Sequence, residues 1–247
     1  MFNLLKKKNP LTKQNIVLPI TLDIHSHILP GIDDGAPDIG TSLKLIKGLN
    51  ELGIQKSIAT PHIIGDLYRN TPETINEALE KVKVACRKEG IGMEILAAAE
   101  YMLDDHFMGL LKQGKPLLTL IENIILTELP YTMPPNNLEE MTFAILTGGY
   151  QPILAHPERY FYYHDNYVMY DRLHDLGFQL QVNLLSLTGY YGKNVVRAAR
   201  YILKKGLASL VGTDLHHERH LAALQDTKNL ALFNELLVGK RINDFKM

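Results

Sequence analysis

Residues 21–27 read TLDIHSH, in which a short strand-like run, Thr21 to Ile24, leads directly into the pair His25 and His27. Side chains alternate along an extended chain, so the two imidazoles of a His-x-His pair lie on the same side. Other short apolar runs further along the chain also end in histidine, aspartate or glutamate. This is the pattern expected of a metal site built at the ends of strands.

Longer stretches with helical spacing separate the short apolar runs. One stretch has a clear start, with Thr71 as the N-cap and Pro72 at the first helical position, and it stops at Gly90. About seven strands in β-then-α order predict an α/β fold with parallel strands joined by right-handed crossovers. Seven repeats are enough to close, or nearly close, a barrel, and a doubly wound open sheet is the alternative. The further strand candidates are residues 56–59, 93–98, 124–127, 151–155, 178–182 and 209–212.

The chain has 247 residues, which is enough for one large domain with a sizeable core. Residues 1–20 form a basic, proline-broken extension that we expect to be solvated, and residues 21–247 form a single domain. The formal net charge is −1, so no global positive field favours nucleic acid or an anionic membrane. No apolar stretch approaches the roughly 20 residues of a membrane helix, so membrane insertion is not expected.

Cys86 is the single cysteine of the chain. One cysteine excludes an internal disulfide framework and suits a reducing, cytoplasmic compartment. A cysteine phosphatase needs an arginine six positions after its nucleophile, but Gly92 stands there. We therefore interpret Cys86 as a small core or surface residue.

Residues of the types that bind metals follow nearly every strand candidate. The C-terminal ends of parallel strands lie on one face of a β/α fold, so these side chains are expected to converge on one cavity. Imidazole and carboxylate ligands without a thiolate suit manganese, iron or zinc in a cluster of two or three ions. The candidate ligands are His25, His27, His62, Glu100, Glu128, His156, Asp214 and His216.

Arg159 directs the interpretation of this site toward phosphate. It comes three positions after His156, and its planar fork suits a phosphoryl group. An ion pair with Glu158 or another carboxylate is the alternative role for Arg159. The aromatic run Tyr160 to Tyr163 is interpreted either as a wall for a phosphotyrosine ring or as a loop packed over the rim.

The motifs together resemble the PHP (polymerase and histidinol phosphatase) superfamily. More narrowly, they resemble the PHP-type tyrosine-protein phosphatases of bacterial capsule and exopolysaccharide gene clusters. The resemblance covers about residues 21 to 220. It rests on DIHSH at 23–27, DDG at 33–35, TPH at 60–62, AE at 99–100, TE at 127–128, AHPER at 155–159 and DLH at 214–216.

The resemblance implies a catalytic domain folded as a distorted (β/α)7, TIM-like barrel with two or three divalent ions, of which manganese is expected and iron or zinc is possible. It adds Asp34 as a ligand or a residue behind the ligands, and gives Arg159 and His156 catalytic roles. It also implies that a metal-bound hydroxide removes phosphate from tyrosines of a protein. The implied partner is the tyrosine-rich tail of a cytoplasmic bacterial kinase that controls polysaccharide export.

Other functions fit parts of the same pattern. A PHP phosphatase for a small ester such as histidinol phosphate would use the same cluster. A metal-dependent amidohydrolase would usually carry a bridging lysine after the fourth strand, where this chain has residues 125–128, ILTE. A binding module with a vestigial site is disfavoured because no ligand position is replaced, and a nuclease is disfavoured by the neutral charge.

Overall fold

A computed structural model describes residues 16–245 of the chain. Within this range there are nine strands, eight α-helices and three short 3-10 helices, mostly in β-then-α order. The strands are β1 (Leu22–Asp23), β2 (Lys56–Ala59), β3 (His62–Ile63), β4 (Glu94–Ala97), β5 (Glu100–Met102), β6 (Ile124–Glu128), β7 (Gln151–Ala155), β8 (Gln179–Asn183) and β9 (Leu210–Gly212). The helices are α1 (Ile39–Glu51), α2 (Pro72–Lys88), α3 (Asp105–Gln113), α4 (Leu138–Thr147), α5 (Val168–Asp175), α6 (Lys193–Lys205), α7 (Glu218–Gln225) and α8 (Thr227–Leu237).

The strands pair in parallel throughout and form two sheets, with the orders β1-β2-β4 and β3-β5-β6-β7-β8-β9. The prediction of an α/β fold with parallel strands is therefore confirmed. The described strands are divided between these two sheets rather than joined in one closed sheet.

Two of the seven predicted strand regions are followed by a break and then a second, short strand. Thr60 and Pro61 separate β2 from β3, and Ala98 and Ala99 separate β4 from β5. Proline has no N–H to donate to a sheet ladder, which favours a break at Pro61. After the breaks, β3 and β5 pair with each other, with His62 opposite Glu100.

The segment after β1 contacts the segment after β9. Ser26 and Leu215 form a parallel bridge, and the Asp214 N–H donates to the His25 carbonyl at 2.8 Å. Near the opposite end of these strands, the Asn243 side-chain amide donates to the Leu22 carbonyl at 2.9 Å. These contacts bring residues from the first and last strand regions side by side.

Two groups of buried apolar residues fill the fold. The larger group packs the helices onto the sheets and includes Ile125 and Leu154, whereas their strand neighbours Leu126 and Ile153 belong to the smaller group. Since neighbouring side chains of a strand point to opposite faces, the smaller group lies on the sheet face turned away from the helices. This smaller group is a second apolar core, on the opposite side of the strands from the helices.

The predicted limits of α2 agree with the structure. Thr71 caps the helix by accepting a hydrogen bond from the Thr74 N–H, and Pro72 is its first residue. Gly90 follows the end of the helix with a φ of 66°, a left-handed conformation that glycine adopts without a steric cost. None of the helices within residues 16–245 has the length and apolar character needed to cross a bilayer.

Residues 16–20 pack against the domain. Leu18 and Ile20 are buried, and the Leu18 N–H donates to the Leu52 carbonyl at 2.9 Å. We expected residues 1–20 to be solvated, and for Leu18 and Ile20 this expectation is wrong. Their apolar side chains are buried against the domain. Residues 1–15 of the predicted extension lie outside the described residues.

We predict that Leu18→Ala lowers the free energy of unfolding by about 2–5 kcal/mol, the usual effect of truncating a buried leucine. Ile16→Ala is the control, because Ile16 is 48% exposed. Urea unfolding followed by circular dichroism measures both. Equal losses in the two variants would contradict the packing of this segment.

Candidate metal centre

The C-terminal ends of the strands bring the predicted ligands into one cluster. His62 and Glu100 begin β3 and β5 just after the C-terminal ends of β2 and β4, Glu128 ends β6, and His156 directly follows β7. The other candidates come two or four positions after β1 or β9, namely His25, His27, Asp214 and His216. All eight candidates and Asp34 fall into four groups whose nitrogen or carboxylate oxygen atoms lie within 4.8 Å of one another. These groups are His27, Asp34, His62 and His216; His25, His27 and Glu100; His25, His156 and Asp214; and His62, Glu100 and Glu128.

Glu100 lies at the centre of the cluster and has no exposed surface. Its Oε2 atom is 3.2 Å from His25 Nε2 and 3.2 Å from His62 Nδ1. The same oxygen is 3.3 Å from His27 Nε2, and Oε1 is 3.1 Å from His156 Nε2. A single carboxylate therefore faces four imidazoles, which suits a bridge between two ions.

Two buried atoms of the cluster lack a hydrogen-bond partner among the described residues. Glu128 Oε1 and His62 Nδ1 are 2.9 Å apart, but their geometry is not that of a hydrogen bond. Most buried polar atoms in proteins are hydrogen-bonded, so such exceptions need an explanation. A cation shared by these two atoms would satisfy both, and the residues present therefore fit a metal centre.

Asp214 connects the cluster to Arg159. Its Oδ1 atom is 3.3 Å from His25 Nε2 and 3.3 Å from His216 Nδ1, while Oδ2 accepts a hydrogen bond from Arg159 Nη1 at 2.6 Å. Asp34 lies at the rim with its side chain 54% exposed, and its Oδ1 is 3.5 Å from His62 Nε2. The role of these residues as ligands stays a prediction that the geometry permits.

The backbone near the cluster is held in unusual conformations. Four non-glycine residues within residues 16–245 have positive φ, and two of them are His156, at 36°, and Asp214, at 50°. Such conformations cost free energy and are typically found at functional sites. Gly212 is needed for a different reason, since a Cβ atom there would lie 2.6 Å from His25 Cβ.

Polar residues behind the cluster orient its histidines. Asp33 Oδ2 is 2.7 Å from His27 Nδ1, and Gln181 Oε1 is 2.8 Å from His25 Nδ1. Asn183 accepts a hydrogen bond from Gln181 and donates one to Asp214 Oδ2 at 2.6 Å. The predicted site omitted these three residues. Gln181 and Asn183 stand two apart on β8, and this polar alternation within an apolar strand is the signal that could have revealed them.

The buried charges of the centre shift the pKa values of its groups. Burial raises the pKa of Glu100, but the charges of His25 and His62 lower it well below its ordinary value. Burial lowers the pKa of His25, yet the charges of Glu100 and Asp214 raise it to about 9. A protonated His25 thus balances buried carboxylates, and a divalent cation can replace that proton.

A cavity of about 240 Å³ opens beside the cluster. Its walls include five candidate ligands, together with Arg159, whose side chain is 24% exposed. Arg159 pairs with a carboxylate, as one sequence interpretation expected, but with Asp214 rather than Glu158. It also lines the cavity, as its phosphate-binding interpretation requires. The remaining walls, which the sequence prediction missed, are Tyr131, Tyr191, His217 and His220.

The interpretation of Tyr160 to Tyr163 as a wall of the pocket is wrong for its two ends. Tyr160 and Tyr163 are 0% and 3% exposed, and the Tyr160 hydroxyl bonds to the backbone of Leu129 and Ala155. Phe161 is exposed but does not line the cavity. The alternative interpretation, an aromatic loop packed over the rim, describes Tyr160 and Tyr163.

Residues 21–229 match the family model for capsular polysaccharide synthesis, CpsB/CapC. The chain belongs to the CpsB/CapC family. It is 30% identical over 196 residues to the tyrosine-protein phosphatase YwqE of Bacillus subtilis, covering 79% of this chain and 77% of YwqE. It is 28% identical over 200 residues to the putative tyrosine-protein phosphatase CapC of Staphylococcus aureus, covering 79% and 76% of the two chains.

The fold of this CpsB/CapC family member also matches a solved structure. The match is to a chain from the crystal structures of YwqE from Bacillus subtilis and CpsB from Streptococcus pneumoniae, which are metal-dependent tyrosine phosphatases. The TM-score is 0.78 at 28% sequence identity, and the match covers 89% of this chain and 88% of the other. The predicted resemblance to the tyrosine phosphatases of capsule gene clusters is confirmed.

We predict that Asp33→Ala lowers the affinity for Mn²⁺ by about 10- to 100-fold, the usual effect of removing the partner that orients a histidine ligand. Asp66→Ala is the control, because Asp66 is exposed on the nearby loop after β3. Isothermal titration calorimetry gives both affinities. An unchanged affinity in Asp33→Ala would show that His27 does not need this hydrogen bond.

We predict that Gly212→Ala also weakens Mn²⁺ binding, because the added methyl group displaces His25 from the cluster. The matched control is Gly92→Ala, since a Cβ atom at Gly92 meets no described atom within 4 Å. Metal content after gel filtration in limiting Mn²⁺ compares the two proteins. Equal metal content would mean that His25 adjusts to the methyl group at no cost.

Proposed function

We propose that this protein is a metal-dependent tyrosine-protein phosphatase that hydrolyses phosphotyrosine in proteins. The observation that carries the proposal is the position of Arg159. Its guanidinium lines the cavity beside the candidate metal centre and shares Asp214 with it. A phosphoryl group bound there would lie between the residues that would hold the metal ions and the arginine fork. The activity of the named relatives supports the same reaction.

We assign the metal-binding role to the predicted ligands and take manganese as the physiological ion. Divalent ions, when bound there, lower the pKa of a water molecule that they bind and neutralise charge on the phosphoryl oxygens. The ligand chemistry supports this assignment, because imidazoles and carboxylates without a thiolate suit manganese. The assigned ligands are His25, His27, His62, Glu100, Glu128, His156, Asp214 and His216, with Asp34 at the rim.

Arg159 and His156 are the residues of the chain to which we assign catalytic roles. One Nη1–H of Arg159 is held by Asp214, which fixes the orientation of the guanidinium and leaves its other N–H groups for phosphoryl oxygens. Burial lowers the pKa of His156 to about 4. Its imidazole is therefore neutral at pH 7, which is the form of histidine that binds a metal ion.

We further propose that the two sheets together form the wall of a distorted, TIM-like (β/α)7 barrel. Three contacts support this: the parallel bridge between Ser26 and Leu215, the hydrogen bond from Asn243 to Leu22, and the hydrogen bond from the Asn243 side chain to the Val211 carbonyl. In this arrangement the described part of the predicted domain, residues 21–245, is a single catalytic domain.

For the biological substrate we propose the tyrosine-rich tail of a cytoplasmic bacterial kinase that controls polysaccharide export. The membership of the CpsB/CapC family, whose model concerns capsular polysaccharide synthesis, supports this assignment. The buried free thiol of Cys86 is compatible with a reducing compartment.

The test is an assay of the metal-stripped protein with and without Mn²⁺ on a phosphotyrosine peptide, a phosphoserine peptide and histidinol phosphate. We expect Mn²⁺-dependent release of phosphate, with the phosphotyrosine peptide strongly preferred. Preference for histidinol phosphate would replace the proposed function with hydrolysis of a small ester. Activity that does not depend on metal would contradict the role of the cluster.

We predict that Arg159→Lys lowers kcat by about 10²- to 10³-fold on the phosphotyrosine peptide, because lysine keeps the charge but loses the planar fork. Arg172→Lys is the control, since Arg172 is exposed and pairs with Glu139 outside the cavity. Steady-state kinetics with saturating Mn²⁺ compares the two variants. Full activity of Arg159→Lys would exclude bidentate contact with the phosphoryl group.

A further inference from the structure

The guanidinium of Arg159 lies over two tyrosine rings. Its Cζ atom is 5.2 Å from the ring centroid of Tyr131 and 4.6 Å from that of Tyr191. Both distances are within the range of a cation–π contact. With Asp214 holding one nitrogen, two aromatic rings and a carboxylate together restrict the position of this side chain.

The two tyrosines come from different parts of the chain and meet at one cavity. Tyr131 lies on the loop after β6, and Tyr191 lies on the loop before α6. Both line the cavity that contains Arg159 and the exposed side of the metal centre. An ester whose phosphoryl group binds Arg159 therefore places the rest of its molecule next to two aromatic surfaces.

Tyr131 is the more accessible ring, with 40% of its surface exposed. It lies nearly parallel to the His156 imidazole, with an angle of 23° and 5.8 Å between ring centroids. Its hydroxyl is 3.5 Å from both ring nitrogens of His156. An aromatic ring beside the phosphate-binding arginine can pack against an aryl leaving group, whereas an alkyl group offers no π-surface to it.

Tyr191 is placed to act on Arg159 itself. Its ring is the closer of the two to the guanidinium, and its hydroxyl is 3.5 Å from His220 Nε2. His220 is 8% exposed and belongs to α7, so Tyr191 is supported from behind by a different element. The contact with His220 restrains the Tyr191 ring, and the ring in turn restrains the guanidinium of Arg159.

We propose that two tyrosines give this pocket its preference for phosphotyrosine: Tyr131 selects aryl over alkyl phosphate esters, and Tyr191 positions Arg159. The proposal rests on the proposed phosphatase function and names the part of the pocket that makes it selective for tyrosine. Tyr131 packs against the aryl group, and Tyr191 is a positioning residue that acts through Arg159.

The experiment compares Tyr131→Leu, Tyr131→Phe, Tyr191→Leu and Tyr191→Phe in the Mn²⁺-loaded protein. Phenyl phosphate and a phosphotyrosine peptide are the substrates, and phenylphosphonate and ethylphosphonate are competitive inhibitors that report binding without hydrolysis. Phe161→Leu is the matched control, because Phe161 is 66% exposed and stands outside the cavity lining. Manganese content and thermal unfolding establish that each variant is folded and loaded.

For Tyr131→Leu we expect KM for phenyl phosphate and Ki for phenylphosphonate to rise roughly fivefold, as loss of an aromatic pair predicts, with Ki for ethylphosphonate unchanged. Tyr191→Leu should instead lower kcat on both substrates, because Arg159 loses its support. Tyr131→Phe and Tyr191→Phe should each be less impaired than the matching leucine variant, since the rings remain, and Phe161→Leu alone should keep wild-type values.

An unchanged ratio of the two inhibition constants in Tyr131→Leu, or an unchanged kcat in Tyr191→Leu, would overturn the corresponding role. A phenylalanine variant as impaired in KM or kcat as the matching leucine variant would also contradict it, because the hydroxyl rather than the ring would then matter. If the wild-type protein does not hydrolyse phenyl phosphate or the peptide, the phosphatase function itself fails. That outcome is distinct from a wild-type activity that both leucine substitutions leave unchanged.

Discussion

The Glu100 carboxylate has no exposed surface and lies among four imidazoles. The arrangement of the neighbouring strands depends on this buried charge. Burying such a charge is costly unless cations or protonated partners surround it. The break at Ala98 and Ala99 ends β4 and lets a new strand begin at Glu100 itself. That strand pairs with the still shorter β3, so His62 lies directly opposite the carboxylate.

Asp214 makes the metal centre and the phosphate pocket one unit. One oxygen faces His25 and His216, while the other accepts hydrogen bonds from Arg159 and Asn183. A change in the position of this carboxylate therefore alters both the ligand geometry and the arginine. Its left-handed backbone conformation and the hydrogen bond from its N–H to the first strand region fix that position. Binding of metal and binding of phosphate are for this reason expected to be coupled.

The sequence was sufficient to predict the parallel α/β pattern and the convergence of the ligand types, because strand ends and periodicity are local features. It was not sufficient for the short strands β3 and β5, since each begins only three positions after the end of a longer strand and no separate apolar run marks it. Nor did it identify Tyr131 and Tyr191, whose importance comes from contacts with Arg159 across long separations in the chain. The interpretation of residues 160–163 as a wall of the pocket rested on their aromatic composition. Composition alone does not show that Tyr160 and Tyr163 are buried.

The division of the strands into two sheets has a consequence for the lifetime of the protein. His25 and His27 follow a strand of the three-stranded sheet, and the other predicted ligands that lie in or directly after strands belong to the six-stranded sheet. Ions bound by both sets would cross-link the two sheets, in addition to the bridge and hydrogen bonds that join the segments after β1 and β9. Loss of those ions would then open the seam at Ser26 and Leu215 to local unfolding and to proteases. The supply of divalent metal in the cell would thus set how long the protein survives as well as how fast it works.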